Sequence, residues 1–262
     1  MRYQEELLDL YKRIDAALTN SGINFFAAYG TCIGAMREKG LIPWDEDIDI
    51  AVFSSDLDSA IKAVNESGMD MIDKSAGSIS SMNARVFNRI RPDSSLERRR
   101  AYVDIYILEK ADDSKIIFLF RALICSGIGR IMERRRGFQA KGHPMQYALA
   151  DLIAFPFRLF TTKVLCRIKS WIYKSSHGSK FIKIPGDGRF RFAAKAFISS
   201  VRVPFMDTTI PVPVGYDELL TCYYGDWRTP PPIDGRGSHT FTGESGAWNV
   251  TLPTDDERLI CS

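Results

Sequence analysis

Two aspartates separated by a single residue, Asp47 and Asp49, are the residues of this chain best suited to chemistry. Apolar residues at positions 48, 50 and 52 alternate with them. This pattern predicts a strand with both carboxylates on one face and the apolar side chains in a core. Neighbouring carboxylates repel each other and resist burial, and a divalent cation with oxygen ligands removes that cost. The pair therefore predicts a metal site, and a solvated edge strand is the alternative interpretation.

A third acidic residue, Asp104, lies in the segment YVDIYIL, residues 102–108. Val103 and Ile105 alternate with it, which predicts a second strand with Asp104 on the opposite face. A lone acid in an apolar strand is costly to bury, so it needs a metal, a partner or solvent. If the two strands are neighbours, Asp104 completes a cluster of three carboxylates.

The segment just before the acidic pair has the pattern of an anion site. Residues 25–28 predict a short strand, Gly30 and Thr31 a turn, and residues 31–38 a short helix. This arrangement puts backbone N–H groups at a helix N-terminus, where phosphate oxygens bind readily. Taken alone the signal is weak, because tight turns use glycine for many reasons.

Four more side chains are candidates for binding a substrate. Arg37 follows the predicted helix, and its planar guanidinium suits a phosphate, with a solvated arginine as the alternative. Trp44 could stack on a base or fill the core. Residues 84–91 predict a strand with several arginines on one side, Arg89 among them. His239 follows a proline-rich segment, and a lone histidine is more often structural than catalytic.

Length and composition suit one large domain or a domain with an appendage, since 45% of the 262 residues are hydrophobic. Residues 4–18 predict an amphipathic helix. The first fifteen residues carry charges where a signal peptide needs an apolar run, which argues against secretion. Five scattered cysteines without a C-x-x-C pair argue against zinc and iron–sulfur sites. We expect a cytoplasmic protein with reduced thiols.

The net charge of +3 hides a strong asymmetry along the chain. Residues 111–202 hold 18 Lys and Arg against 5 Asp and Glu, whereas the segments on either side are net acidic. A basic middle predicts an anionic partner such as a membrane lipid, a phosphorylated glycan or a nucleic acid. The region has no recognisable nucleic-acid-reading motif, so we expect no nucleic-acid partner.

Within this basic region one helix is predicted near residues 160–174. Its expected apolar face is Phe160, Val164, Leu165, Ile168, Trp171 and Ile172, with basic residues elsewhere. Two interpretations stay open at this point. The helix could lie on an anionic membrane surface, or it could pack as an ordinary helical subdomain on a catalytic core. No charge-free apolar run is long enough to span a bilayer.

Three motifs, in this order, resemble the LicD family of phosphotransferases: GTCIGAMREKGLIPWDEDIDI, VDIYIL and VPVGYDELLTCYYGDWRTPPP. The resemblance covers residues 1–110 and 203–240. It implies an α+β fold of the polymerase-β-type nucleotidyltransferase class, a mixed sheet with helices, plus a basic helical subdomain. We expect a catalytic core over 1–110, an acceptor- or membrane-facing subdomain over 111–202, and a C-terminal segment over 203–262. The prolines of that last segment predict an ordered wrap around the core rather than a regular layer.

The resemblance also implies an activity, the transfer of a phospho-alcohol from a CDP-linked donor to a hydroxyl of a cell-surface glycan, with release of CMP. The donor would be of the CDP-choline, CDP-ribitol or CDP-glycerol class. Gly30 and Thr31 would hold donor phosphate, and Asp47 and Asp49 would bind Mg²⁺ or Mn²⁺. Asp104 would be the third acid, as a metal ligand or as the base for the acceptor proton.

Two alternatives to this activity remain. One is a nucleotidyltransferase proper, in which the acceptor attacks the α-phosphate. The other is a catalytically silent glycan-binding relative, against which the intact acidic set argues. Whether the protein is a phospho-alcohol transferase or a nucleotidyltransferase, we expect it to act in the cytoplasm and to associate with the inner face of the membrane.

Overall fold

The computed structural model describes residues 2–73, 83–88, 101–135, 148, 151–184 and 190–232. The contacts between residues divide the chain into two compact units. The first comprises the described residues of Met1–Ile72, Ala84–Tyr106 and Lys195–Leu252. The second comprises those of Asp73–Asn83, Ile107–Ala194 and Pro253–Ser262. Both helices and a multi-stranded sheet are present, so the predicted α+β class is confirmed.

The first unit is built on a sheet whose strands lie in the order β1-β2-β5-β4-β3. These strands are β1 (Phe25–Ala27), β2 (Ile48–Phe53), β3 (Met69–Asp73), β4 (Asn83–Asn88) and β5 (Tyr102–Ala111). β1 runs antiparallel to β2, with Phe25 opposite Val52. The two predicted acidic strands, β2 and β5, are therefore neighbours in one sheet.

Helices cover this sheet with apolar faces. They are α1 (Arg2–Asn20), α2 (Tyr29–Ile33), which continues as a π-helix over Gly34–Glu38, and α3 (Leu57–Glu66), preceded by a 3-10 turn over Ser54–Asp56. The predicted amphipathic helix is confirmed as α1. Its fully buried residues recur at helical spacing: Leu7, Leu10, Tyr11, Ile14 and Leu18.

The connection from the π-helix to β2 is locked by two glycines. A Cβ atom on Gly34 would collide with the backbone oxygen of Gly40, whose own N–H donates to the Gly34 carbonyl over 3.2 Å. A Cβ atom on Gly40 would lie 2.6 Å from Sδ of Met206. Met206 also donates its backbone N–H to the carbonyl of Lys39 over 2.8 Å. The loop is thus held against the tip of the hairpin that carries Met206.

That hairpin corrects the predicted wrap of the C-terminal segment. β8 (Ser200–Phe205) and β9 (Thr208–Pro213) pair antiparallel as a two-stranded sheet, followed by α6 (Tyr216–Tyr224). The prediction of no regular layer was wrong, because proline is tolerated on a strand edge that needs no N–H donor. Tyr11 of α1 donates its hydroxyl to the Thr209 carbonyl over 2.9 Å and packs its ring edge-on against Phe205.

The second unit contains α4 (Lys115–Arg135), a 3-10 segment over Phe155–Leu159, α5 (Thr162–Lys174), and the short strands β6 (Phe181–Lys183) and β7 (Phe192–Ala193). The end of β5 pairs antiparallel with β6, and β6 pairs with β7. Among the helices that the structure describes, none combines the length and the apolar character needed to cross a membrane. The helices pack around a core formed by Cys125, Ile128, Ile131, Met132, Ala154, Leu165, Cys166 and Ile172.

The apolar face predicted for the helix near residue 160 is partly wrong. Leu165 and Ile172 are buried as expected, but Trp171 is 70% exposed and Lys169 is only 8% exposed. A lysine can occupy a buried position because its methylene stem packs as an apolar group. The true buried face is rotated relative to the one that hydropathy indicates.

Candidate functional site

Four carboxylates come together where β2 and β5 lie side by side. Asp49 on β2 is 9% exposed and Asp104 on β5 is 4% exposed, while Asp45 and Asp47 are half-buried just before β2. Burial raises the pKa of Asp49 well above its usual value, and the charges of Asp47, Asp104 and Asp45 raise it further. Arg85 works in the opposite direction. The structure therefore brings together the three predicted acids and adds Asp45 to them.

Asp49 is held at its backbone and left open at its side chain. Its N–H donates to Oγ1 of Thr31 over 2.8 Å, and its carbonyl accepts from the N–H of Ala28 over 3.0 Å. Its Oδ1 is buried and has no hydrogen-bond partner among the described residues. A buried oxygen without a partner costs about 1–3 kcal/mol. A bound cation would remove this cost.

Arg85 on β4 is the basic residue of the site, and it had not been a substrate-binding candidate. Its Nε donates to Oδ1 of Asp104 over 2.6 Å, and its Nη2 to Oδ2 over 3.1 Å. The guanidinium also lies 4.3 Å from the ring centre of Tyr102. Arg85 lies on the strand that the sequence predicts to carry arginines on one side, and this pattern is the signal that could have identified it.

Gly30 and Thr31 lie in the first turn of α2, so the turn predicted at these two residues is wrong in detail. The helix begins earlier because Tyr29, at a φ of 44°, already turns the chain. A Cβ atom on Gly30 would lie 2.5 Å from Oδ2 of Asp45. Thr31 is buried, and its hydroxyl accepts the N–H of Asp49. Gly30 thus leaves room for Asp45, and Thr31 positions Asp49.

Asp45 is the acid that sequence reasoning missed. Its pKa is raised, mainly by burial, while a hydrogen bond with Asp47 works in the opposite direction. The run DEDID at residues 45–49 places an acid at every second position, and this spacing could have identified it. Its backbone N–H donates to the carbonyl of Ile42 over 2.8 Å, which fixes the approach to β2.

The structure describes two of the other four substrate-binding candidates, Arg37 and Trp44. Arg37 donates Nη1 to the carbonyl of Trp227 over 2.8 Å and Nε to Oε1 of Glu38 over 2.7 Å. It therefore ties the π-helix to the chain after α6. Trp44 is half-buried and packs against the hydrophobic core. Arg89 and His239 lie outside the described residues.

Three tyrosine rings pack against one another around the start of α2. The ring of Tyr29 lies 4.6 Å from that of Tyr106 and 5.1 Å from that of Tyr223, measured between centroids. Tyr29 directly precedes Gly30, and Tyr106 follows Asp104 by two residues on the same strand. All three rings are half-buried, so part of each remains accessible.

The donor chemistry of the cluster suits a hard divalent cation, because every candidate ligand is a carboxylate oxygen. Among the residues that the structure describes, no set of three His, Cys, Asp or Glu side chains is placed to hold a metal ion. Asp104 gives both of its oxygens to Arg85. The orphaned Oδ1 of Asp49 and the mutual repulsion around it are the observations that fit a cation.

Comparisons with known proteins agree on one family. Residues 22–119 match the model for the LicD/FKTN/FKRP nucleotidyltransferase domain. The chain is 24% identical over 229 residues to the lipopolysaccharide cholinephosphotransferase LicD of Haemophilus influenzae, covering 83% of this chain and 86% of that protein. It is 29% identical over 72 residues to the ribitol-5-phosphate transferase FKTN of Mus musculus, covering 27% of this chain and 16% of that protein.

A further match, to an uncharacterized protein of Rickettsia prowazekii, is 38% identical over 50 residues and covers 19% of each chain. The matched domain contains the whole carboxylate cluster together with Arg85. The domain match identifies residues 22–119 as a domain of the LicD type, and together with these relatives it supports a phosphotransferase of the LicD family.

Proposed function

We propose that this enzyme transfers a phospho-alcohol, phosphocholine in the first instance, from a CDP-linked donor to a hydroxyl of a glycan, with release of CMP. The observation that carries the proposal is the buried acidic cluster around Asp49, whose Oδ1 has no hydrogen-bond partner among the described residues. Two relatives are named as transferases of phosphocholine and ribitol phosphate, which supports a phospho-alcohol as the group moved.

For a Mg²⁺ or Mn²⁺ ion at this site, Asp47 and Asp49 would be the ligands, and Asp45 would be a further candidate after a rearrangement of its side chain. When bound, the ion would neutralise charge on the donor phosphates and help to align them. Asp104, the third predicted ligand, could join the set only by releasing Arg85. Phosphoryl transfer depends on such positioning more than on covalent help from the protein.

The chain's own residues account for the remaining steps. The guanidinium of Arg85 has the planar geometry that binds a phosphate with two hydrogen bonds, and Asp104 orients it. The acceptor oxygen attacks the phosphorus that bears the alcohol, and the bond from that phosphorus to the oxygen of CMP breaks. The hydroxyl proton passes to a carboxylate oxygen, for which Asp104 is the candidate once substrate has drawn Arg85 away.

The tyrosine cluster favours choline over an uncharged alditol. A quaternary ammonium is attracted to the faces of aromatic rings, and Tyr29, Tyr106 and Tyr223 form a cluster of three rings in which Tyr106 lies two residues from Asp104 on β5. Ribitol or glycerol would gain nothing from this attraction. The basic residues of 111–202 remain our candidate for contacts with the acceptor, and a cytoplasmic site of action remains part of the proposal.

Product analysis tests the proposal directly. The enzyme is incubated with Mg²⁺, a glycan acceptor and, in separate reactions, CDP-choline, CDP-ribitol or CDP-glycerol. We expect free CMP and a phosphocholine-bearing acceptor from the first donor. A further reaction contains CTP as the donor, and a nucleotidylated acceptor with free pyrophosphate in that reaction would instead favour the nucleotidyltransferase. Glycan binding without turnover of any donor would favour the silent relative.

Variants connect the result to the site. Asp49→Asn should abolish CMP release, while Asp58→Asn, the same chemical change on the exposed surface of α3, should not alter it. Tyr29→Ala should raise KM for CDP-choline more than for an alditol donor, because it removes one ring from the cluster. An equal loss with every donor would remove the argument for choline.

A further inference from the structure

The second unit exposes large apolar side chains in one short stretch of sequence. Leu159 is 91% exposed, and Leu152, Phe155 and Phe160 are also on the surface. We call these four residues the apolar tip. They lie on and around the 3-10 segment Phe155–Leu159, between α4 and α5. Several large exposed apolar side chains within nine residues indicate an interaction surface, whereas single exposed ones are ordinary.

The apolar tip is held in place by contacts on its inner side. Phe157, in the middle of the segment, packs against the core of the second unit. Arg135 at the end of α4 donates Nη2 to the carbonyl of Arg158 over 2.8 Å. Thr161 caps α5 by accepting the N–H of Val164 over 3.4 Å. The outward direction of the tip is therefore built into the fold.

A basic stripe continues this surface along α5. Lys163, Arg167, Trp171 and Lys174 are the exposed residues of the helix at spacings of four, four and three, so they lie on one face. The stripe is roughly 16 Å long at 1.5 Å per residue. The opposite face, with Leu165 and Ile172, fills the core. A tryptophan among exposed cations is typical of side chains at the boundary between lipid headgroups and acyl chains.

The charge of the whole stretch has one sign. Between Asp151 and Asp187 the sequence contains no acidic residue and seven Lys or Arg. The acid at the start of the stretch already has partners, since Asp151 accepts from Arg130 over 2.9 Å and from Arg134 over 2.7 Å. The three exposed cations of α5, Lys163, Arg167 and Lys174, thus lie in a stretch of sequence without acidic residues.

We propose that the apolar tip and the basic stripe of α5 dock this protein on an anionic lipid surface. The tip enters the headgroup layer, and the stripe binds lipid phosphates. Charge complementarity selects this occupant, because residues 152–186 combine cations and large exposed apolar groups without an acidic residue, which matches a layer that is negative outside and apolar beneath. The proposal is independent of the transfer chemistry, since none of its residues belongs to the carboxylate cluster.

Vesicle sedimentation of the full chain tests the proposal. We expect binding to vesicles of phosphatidylcholine with about a third phosphatidylglycerol, release by salt, and weak binding to pure phosphatidylcholine. Each cation near such a surface contributes several-fold to the partition coefficient, so the triple variant K163Q/R167Q/K174Q should bind on the order of 100-fold less. Leu159→Ser with Phe155→Ser should weaken binding to both kinds of vesicle.

Matched controls separate the surface from general effects. Ile198→Ser removes an apolar side chain that is 81% exposed in the first unit, and Lys62→Gln removes an exposed cation of α3. Both should bind vesicles like the unchanged protein. Equal binding to neutral and anionic vesicles, binding to neither, or an unchanged triple variant would overturn the proposal. Capture of a protein partner by the same face, without lipid binding, would also overturn it.

A spectroscopic measurement tests the stripe without relying on loss of binding. Anionic vesicles should shift the tryptophan emission to shorter wavelength, because Trp171 leaves water for the headgroup layer. Trp171→Phe should abolish most of this shift and leave sedimentation nearly unchanged. A shift that persists in the variant would place the lipid contact elsewhere and refute the assignment of α5. Melting curves of each variant check that the fold is intact.

Discussion

The most informative perturbation of this protein is Asp49→Asn, because the structure predicts opposite effects on stability and on activity. The carboxylate is 9% exposed, has an unpaired oxygen among the described residues and lies among three other acids. Asparagine keeps the shape, removes the charge and adds a donor that the surrounding carboxylates can accept. Without metal, the variant should therefore be more stable by about 1–3 kcal/mol.

Thermal melting measures this effect. For a chain of this size about 1 kcal/mol corresponds to about 2–4 °C, so the melting temperature should rise by roughly 2–12 °C in buffer with a chelator. Mg²⁺ should raise the melting temperature of the unchanged protein and not that of the variant, because binding to the folded state alone stabilises it. Turnover should be lost in the same variant.

Asp58→Asn is the matched control, since it makes the same chemical change at an exposed position in the first turn of α3. It should lower stability by less than about 1 kcal/mol through loss of the interaction with the helix dipole. The reasoning is refuted if Asp49→Asn melts below the unchanged protein without metal, or if it still responds to Mg²⁺. The first result would mean that Asp49 has a stabilising partner in place of an open oxygen, and the second that Mg²⁺ binds without the Asp49 carboxylate.

Three more predictions concern single residues. Gly30→Ala should cost activity with little loss of stability, because its Cβ would displace the carboxylate of Asp45, a side chain that can move; kcat and a melting curve measure the two effects. Arg85→Lys should lower kcat/KM by about 100-fold, since lysine cannot reproduce the paired hydrogen bonds that Asp104 accepts; steady-state kinetics with CDP-choline measures it. Asp151, whose pKa two arginines lower to about 2, should contribute about 1–2 kcal/mol. Asp151→Asn should remove this contribution at pH 7, and urea unfolding should show the difference shrinking as pH falls from about 4 towards 2.

Periodicity was a reliable guide for α1 and for the strand that carries Asp104. The pattern of α1 and the alternation around Asp104 predicted the elements that the structure contains, because spacing of apolar residues reports directly on burial. The same alternation led to the expectation that Asp49 and Asp104 lie on adjacent strands. Their neighbourhood follows from the strand order, which the sequence alone could only suggest.

What sequence reasoning missed depends on contacts between distant residues. Arg85 and Asp104 lie on two neighbouring strands, β4 and β5, and no local sequence pattern indicates which arginine pairs with the acid. The hairpin β8–β9 was obscured by its prolines, which argue against a sheet unless the strand edge is free. Lys169 is buried and Trp171 is exposed, the reverse of what hydropathy predicts. Hydropathy assigns each side chain to one class, whereas lysine combines an apolar stem with a charged end and tryptophan an apolar ring with a polar N–H.

The glycine-locked loop before β2 has a consequence for how this sequence can diverge. Position 34 faces a backbone oxygen that cannot move aside, so only glycine should occur at this position. Position 40 faces only the flexible end of Met206, so it can gain a methyl group when residue 206 becomes smaller. In an alignment of relatives that keep this loop length, positions 40 and 206 should therefore vary together although 166 residues separate them in the chain. The tip of the C-terminal hairpin and the approach to the acidic strand would then have evolved as a single unit.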